Sequence, residues 1–129
     1  RPDAALLELG RFNFKDALGC AERMLNAPDR PTAIFAANDE MAAAVVMTAN
    51  RLGLKVPEDL SIVGFDNTPI SQTIWPELTT ISQPFGDMAR ESVRLCAHQS
   101  SRDRNMSATR VLPHKLLIRE STGPVPTYS

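Results

Sequence analysis

Two polar clusters hold the side chains best suited to chemistry: Asn38-Asp39-Glu40 and Asp66-Asn67-Thr68. Each follows directly on a short apolar run, residues 33–37 and 62–65. Carboxylate and amide oxygens in such positions accept hydrogen bonds from sugar hydroxyls, because each hydroxyl can donate to an acceptor held in place. Asp39 and Asp66 also raise the acid-base pair of glycoside hydrolysis. Plainer roles compete with both. Asp39 stands where a helix cap or first-turn acid belongs. Asp66 lies beyond any helix it could cap, which leaves ligand contact or local turn bonding. The chain contains no G-x-S-x-G, H-E-x-x-H, C-x-x-C, G-x-G-x-x-G or phosphate loop. Cys20 and Cys96 lack metal or redox spacing and read as small core residues on the apolar faces of helices. His98 and His114 have no clustered donors beside them and read as surface or strand histidines. No cofactor and no metal is expected.

The clusters need a scaffold that sets them side by side. Residues 33–37 read as a strand covered on both faces, since every position is apolar. Asn38 or Asp39 then caps a helix rich in Ala and Met that runs to Leu52 and stops at Gly53. Pro57-Glu58-Asp59 turns the chain into a strand over 60–65, and a right-handed crossover joins such a parallel pair. In an open parallel sheet, ligands bind outside the C-terminal ends of the strands. Both polar clusters fall there.

Upstream, residues 4–9 are strand-like, and Asn13 caps a helix over 15–26. There Ala17, Cys20, Ala21 and Met24 recur at helical spacing. Downstream, residues 68–77 form a loop with one helical turn between Pro69 and Pro76, followed by a strand over 78–82. An amphipathic helix spans 85–99, with Phe85, Met88, Ala89, Ser92, Val93 and Cys96 on one stripe. Residues 100–108 are polar, 111–112 and 116–118 are strand-like around Pro113, and 123–129 form a Pro-rich tail. The expected fold is α/β: three layers, α/β/α, around a mainly parallel sheet that is incomplete at one end.

With 129 residues and 43% hydrophobic content, the chain has the size and core material of one domain. Fourteen basic and 15 acidic residues leave a net charge of −1, so no electrostatic footprint for nucleic acid is present. Arg102, Arg104 and Arg110 cluster loosely and read as a solvated loop. No run approaches the roughly 20 apolar residues of a membrane span, and no signal peptide opens the chain. Reduced thiols suit a cytoplasmic setting. The Arg1-Pro2 opening reads as the interior of a longer protein.

The runs PTAIFAANDEMAAAVV, LGLKVPEDLSIVGFDNTPI, PELTTISQPF, MARESVRL and LLIREST, in this order and spacing, resemble the effector-binding core of the LacI/GalR family of bacterial transcription regulators. The resemblance extends from about Phe12 to Thr122. It implies an N-terminal helix-turn-helix, a hinge helix and a two-lobed core of the periplasmic-binding-protein type, in which a sugar-like effector in the cleft alters operator affinity. It divides the chain into residues 1–84 of the C-terminal lobe, 85–112 of the N-terminal lobe, and 113–129 as return strand and tail.

By position, the resemblance implies four ligand contacts: Phe14, Asn38, Asp66 and Gln83. Phe14 competes with a hydrophobic-staple role, Gln83 with a purely backbone bond, and Asn38 with helix capping. Homodimer contacts are implied at Met41, Ala43, Met47, Ile70, Ile74 and Trp75, where core packing is the competing role. Operator DNA is reached only through the missing helix-turn-helix, and no membrane is involved. The 85–99 helix is expected to repack, exchange with a second copy or be poorly ordered, because the sheet it would cover is absent. A periplasmic sugar-binding protein of a transporter is the alternative, and an enzyme of sugar hydrolysis comes third.

Overall fold

In the computed structural model, which describes residues 6–98 and 109–126, an asparagine opens each of the two helices that build the core. The Asn13 side chain accepts the amide of Asp16 at 2.8 Å and starts α1 (Phe14–Leu25). Asn38 accepts the amide of Met41 at 2.8 Å and starts α2 (Asp39–Arg51). Each bond satisfies one of the amides that a helix leaves unpaired at its start. At the far end of α2 the chain stops at Gly53, whose φ of 73° is open to glycine without strain.

The four strands β1 (Ala33–Phe35), β2 (Ser61–Asp66), β3 (Thr79–Ser82) and β4 (Lys115–Leu117) form one sheet in that order among the described residues. β1, β2 and β3 run parallel and β4 antiparallel, with Ile81 opposite Leu116. One face of the sheet carries Ile34 and Ile62 against Ala21 and Leu25 of α1 and Ala42, Val45, Val46 and Ala49 of α2. Leu60 and Leu78, both fully buried, close this core from the strand entrances. Small residues on α2 let it lie close to β2. At Gly64 the approach is so tight that an added Cβ would collide with the Asp39 carboxylate and come within 3.3 Å of the Ala42 methyl.

α3 (Ile70–Thr73) is a single turn after β2, and α4 (Phe85–His98) leaves the sheet after β3. The mostly parallel sheet flanked by helices agrees with the expected α/β class. Its second face holds Phe35, Val63, Phe65, Ile81 and Leu116 by register. Phe35 meets Phe65 edge-on at 6.4 Å. The start of α4 and residues 110–114 stand over Phe65 and Ile81 around a cavity of about 380 Å³.

Several expectations need correction. Residues 6–9 form no strand; Leu6 has 3₁₀ conformation and the next residues are irregular. Glu8 is instead tied to α1 by two bonds from Arg23, at 3.0 and 2.6 Å. β1 is not covered on both faces, because only Ile34 is buried while Ala33 and Phe35 are exposed. An apolar run thus marked the strand without marking its cover. Residues 111–112 make no ladder, and Pro113 offers no amide to extend β4 backwards. Cys20 is buried as expected, but Cys96 is exposed. Cys96 shares α4 with Phe85, Met88 and Val93, all exposed, so that stripe is left largely open, with Met88 reaching the cavity over Phe65 and Ile81. Arg102, Arg104 and the polar 100–108 stretch lie outside the described residues, as do Ala4 and the end of the tail.

Candidate ligand-binding site

Because β1, β2 and β3 are parallel neighbours, the residues that follow them share one edge. Asn38 follows β1, Asp66 ends β2 and Gln83 follows β3. The Gln83 amide donates to the Asp66 carboxylate at 2.6 Å, so these two sequence candidates meet directly. The bond of Gln83 is therefore to a side chain and not merely to backbone. Asn38 spends its oxygen on the α2 cap, while its amide nitrogen donates to the Phe12 carbonyl at 3.4 Å. That second bond draws the start of α1 to the same edge.

Phe14 is half-buried as the first residue of α1. A hydrophobic staple uses the residue before the cap, which here is Phe12, so the staple reading does not describe Phe14. Phe12 itself is 70% exposed at φ 55°, next to Arg11 at φ 49°. This second ring was overlooked in the sequence. Its signal was available in the F-N-F pattern around the Asn13 cap.

Asp39 faces inward. Its carboxylate is fully buried and accepts the Thr68 amide at 2.6 Å, the Thr68 hydroxyl at 3.1 Å and the Thr80 hydroxyl at 2.6 Å. Asn38, not Asp39, caps α2. With both oxygens engaged inside the fold, Asp39 cannot face Asp66 across a substrate, and the acid-base pair of a glycosidase does not form.

Past Asp66 the backbone turns through two left-handed residues, Asp66 at φ 102° and Asn67 at φ 56°. Asn67 accepts from Arg119 at 2.7 Å, and its amide lies 3.4 Å from the Thr80 hydroxyl. Arg119 arrives from beyond β4 and also donates to the Leu78 carbonyl at 2.7 Å and to the Ser71 hydroxyl at 3.2 Å. No buried side-chain polar atom lacks a partner among the described residues. The same residues hold no group of three potential metal ligands.

The positions named for dimerisation separate into two sets. Ala43, Met47, Ile74 and Trp75 line a shallow cleft of about 440 Å³, from which Trp75 is 75% exposed. Ile74 also packs against the core, as does Met41, which lies outside the cleft, and the Ile70 side chain is half-buried at the start of α3. No helix among the described residues is long and apolar enough to cross a membrane.

Against known proteins, the periplasmic binding protein-like domain family matches residues 5–122. The HTH-type transcriptional repressor CytR of Escherichia coli K12 is 40% identical over 124 residues, covering 96% of this chain and 36% of that protein. Among solved structures, the transcriptional regulator CelR in complex with cellobiose superposes with a TM-score of 0.85 at 31% identity, over 94% of this chain and 37% of its own. A LacI family transcriptional regulator from Enterococcus faecium with bound ribose gives a TM-score of 0.75 at 30% identity, over 88% and 41%. The chain thus spans little more than a third of the curated relative. With the domain family matched over most of its length and regulators as relatives in both sequence and structure, the chain belongs to the LacI/GalR family, as the C-terminal part of the effector-binding core.

Proposed function

We propose that this chain is the effector-binding and dimerising part of a ligand-responsive transcriptional repressor. The carrying observation is the 2.6 Å bond between Gln83 and Asp66 at the C-terminal edge of the parallel strands. A carboxylate and an amide held against each other there offer a fixed acceptor and donors to a polyhydroxylated molecule. Asn38 adds its amide nitrogen from the next strand, and Phe14 adds an apolar surface from the start of α1. The relatives in complex with cellobiose and ribose support a sugar or related metabolite as effector. The effector acts by binding one arrangement of the lobes more tightly than another.

The role is binding and not glycoside hydrolysis, since Asp39 is committed to Thr68 and Thr80. A homodimer uses the cleft that Ala43, Met47, Ile74 and Trp75 line, with Met41 and Ile70 outside its lining. Operator DNA is contacted by a helix-turn-helix outside these residues, in the cytoplasm. A periplasmic transporter component is the weaker reading, because the relatives named above are regulators. The test is calorimetry on the full-length protein with sugars, sugar phosphates and purines. Asp66→Ala is expected to weaken the best binder at least about tenfold, the size of one lost charge-assisted hydrogen bond. Unchanged affinity would overturn the assignment.

A further inference from the structure

Asp66 and Asn67 hold positive φ in succession, 102° and 56°. L residues seldom adopt this conformation, although Asp and Asn tolerate it better than most. Two in a row persist only where their surroundings over-determine them. Here two anchors distant in sequence do so. The buried Asp39 carboxylate, at the start of α2, accepts the amide of Thr68 at 2.6 Å, on the residue directly after the turn. Arg119, from beyond β4, donates to the Asn67 side chain at 2.7 Å while braced on the Leu78 carbonyl, also at 2.7 Å. Asp66 itself is left to Gln83.

Neither anchor is placed to meet a ligand. Asp39 is fully buried, and the Arg119 side chain is 14% exposed. Nor does its own helix need the Asp39 carboxylate, since Asn38 supplies the cap. β2 even carries Gly64 where a Cβ would collide with that carboxylate.

We propose that Asp39 and Arg119 are positioning residues for Asp66, holding the left-handed 66–67 turn so that the Asp66 carboxylate is aimed before a ligand arrives. This rests on Asp66 being a ligand contact. A contact ordered in advance spends less binding free energy on ordering. The two anchors act on the same turn from opposite sides, one through the backbone after it and one through its second side chain.

The test uses the full-length protein with D-ribose and cellobiose as probes. Arg119→Met removes the guanidinium and keeps an apolar stem. The Thr68 amide is expected to exchange with deuterium faster, and binding of the better probe to fall about tenfold, equivalent to about 1.4 kcal/mol, with far-ultraviolet circular dichroism unchanged. Adding Asn67→Gly to Arg119→Met lets position 67 take positive φ freely, and should restore both slow exchange and most of the affinity. A purely structural role for Arg119 would not be rescued at position 67. Asp39→Asn, which keeps the shape but swaps an acceptor for a donor facing Thr68 or Thr80, is expected to reproduce the Arg119→Met signature. Parental exchange at Thr68 in Arg119→Met, or no rescue by Asn67→Gly, overturns the proposal. Asp66→Ala binding both sugars like the parent overturns instead the reading on which it rests. Should the parent bind neither sugar, exchange and its rescue decide.

Discussion

At the scale of single residues, the roles of the two aspartates part company. Asp66 ends a strand with no helix of its own to serve, and its partner is another candidate contact, Gln83, at 2.6 Å. Asp39 sits on a helix start yet serves the sheet, through Thr68 and Thr80. The tightness of that contact is carried by Gly64. Gly64→Ala is therefore expected to destabilise the fold by about 1–3 kcal/mol, the usual cost of overpacking a core, read as a lower urea midpoint at unchanged slope. Glu8 offers a pH-dependent counterpart. Hydrogen bonds from Arg23 hold its carboxyl below the ordinary value of 4.5. A depressed carboxyl stabilises the fold above its unfolded value and loses that contribution as pH falls through the lowered one. The pair is solvent-exposed, so its effect is small. Thermal midpoints of Glu8→Gln should converge with those of the parent well below pH 4.5 and lie slightly lower at neutral pH.

At the scale of elements, α2 joins stability to the proposed binding site through one residue. Asn38 caps the helix with its oxygen and reaches Phe12 with its nitrogen. Asn38→Asp retains a capping acceptor and gives up the donor, whereas Asn38→Ala gives up both. Chemical denaturation should show a loss of about 1 kcal/mol for Ala and little for Asp. Effector affinity should fall in both. The strand ends that bring the site together were legible because each apolar run stops in a polar cluster. The cover of those strands was not legible. An apolar β1 reads the same whether or not anything packs on Phe35, which is exposed here.

At the scale of the whole molecule, the feature with the largest consequence is α4. Phe85, Met88 and Val93 are exposed along its length. Apolar patches of this kind drive association. The 129-residue chain by itself is expected to sediment with a mass that rises with concentration, and Met88→Lys with Val93→Lys to lower that tendency. A monodisperse monomer with an ordered, solvent-facing α4 would contradict this. The dimer surface proposed above is a separate matter. It places Trp75 and Met47 at the contact, so Met47→Glu is expected to weaken dimerisation of the full-length protein without touching α4.

The sequence by itself determined the order of strands and helices between residues 14 and 98, the Asn13 and Asn38 caps, the stop at Gly53, and the sheet edge at which Asn38, Asp66 and Gln83 gather. These follow from patterns within a few residues: apolar period, cap chemistry, and the change from apolar run to polar cluster. Tertiary structure alone decided what those residues do with their side chains. The partners of Asp39 lie 29 and 41 residues away, and the guanidinium that meets the Asn67 side chain lies 52 away. Whether Cys96 or Phe35 is covered depends on surfaces that no local pattern records. Local sequence dictates backbone preference, but a carboxylate turns inward or outward according to the donors the fold brings to it, and those come from far along the chain.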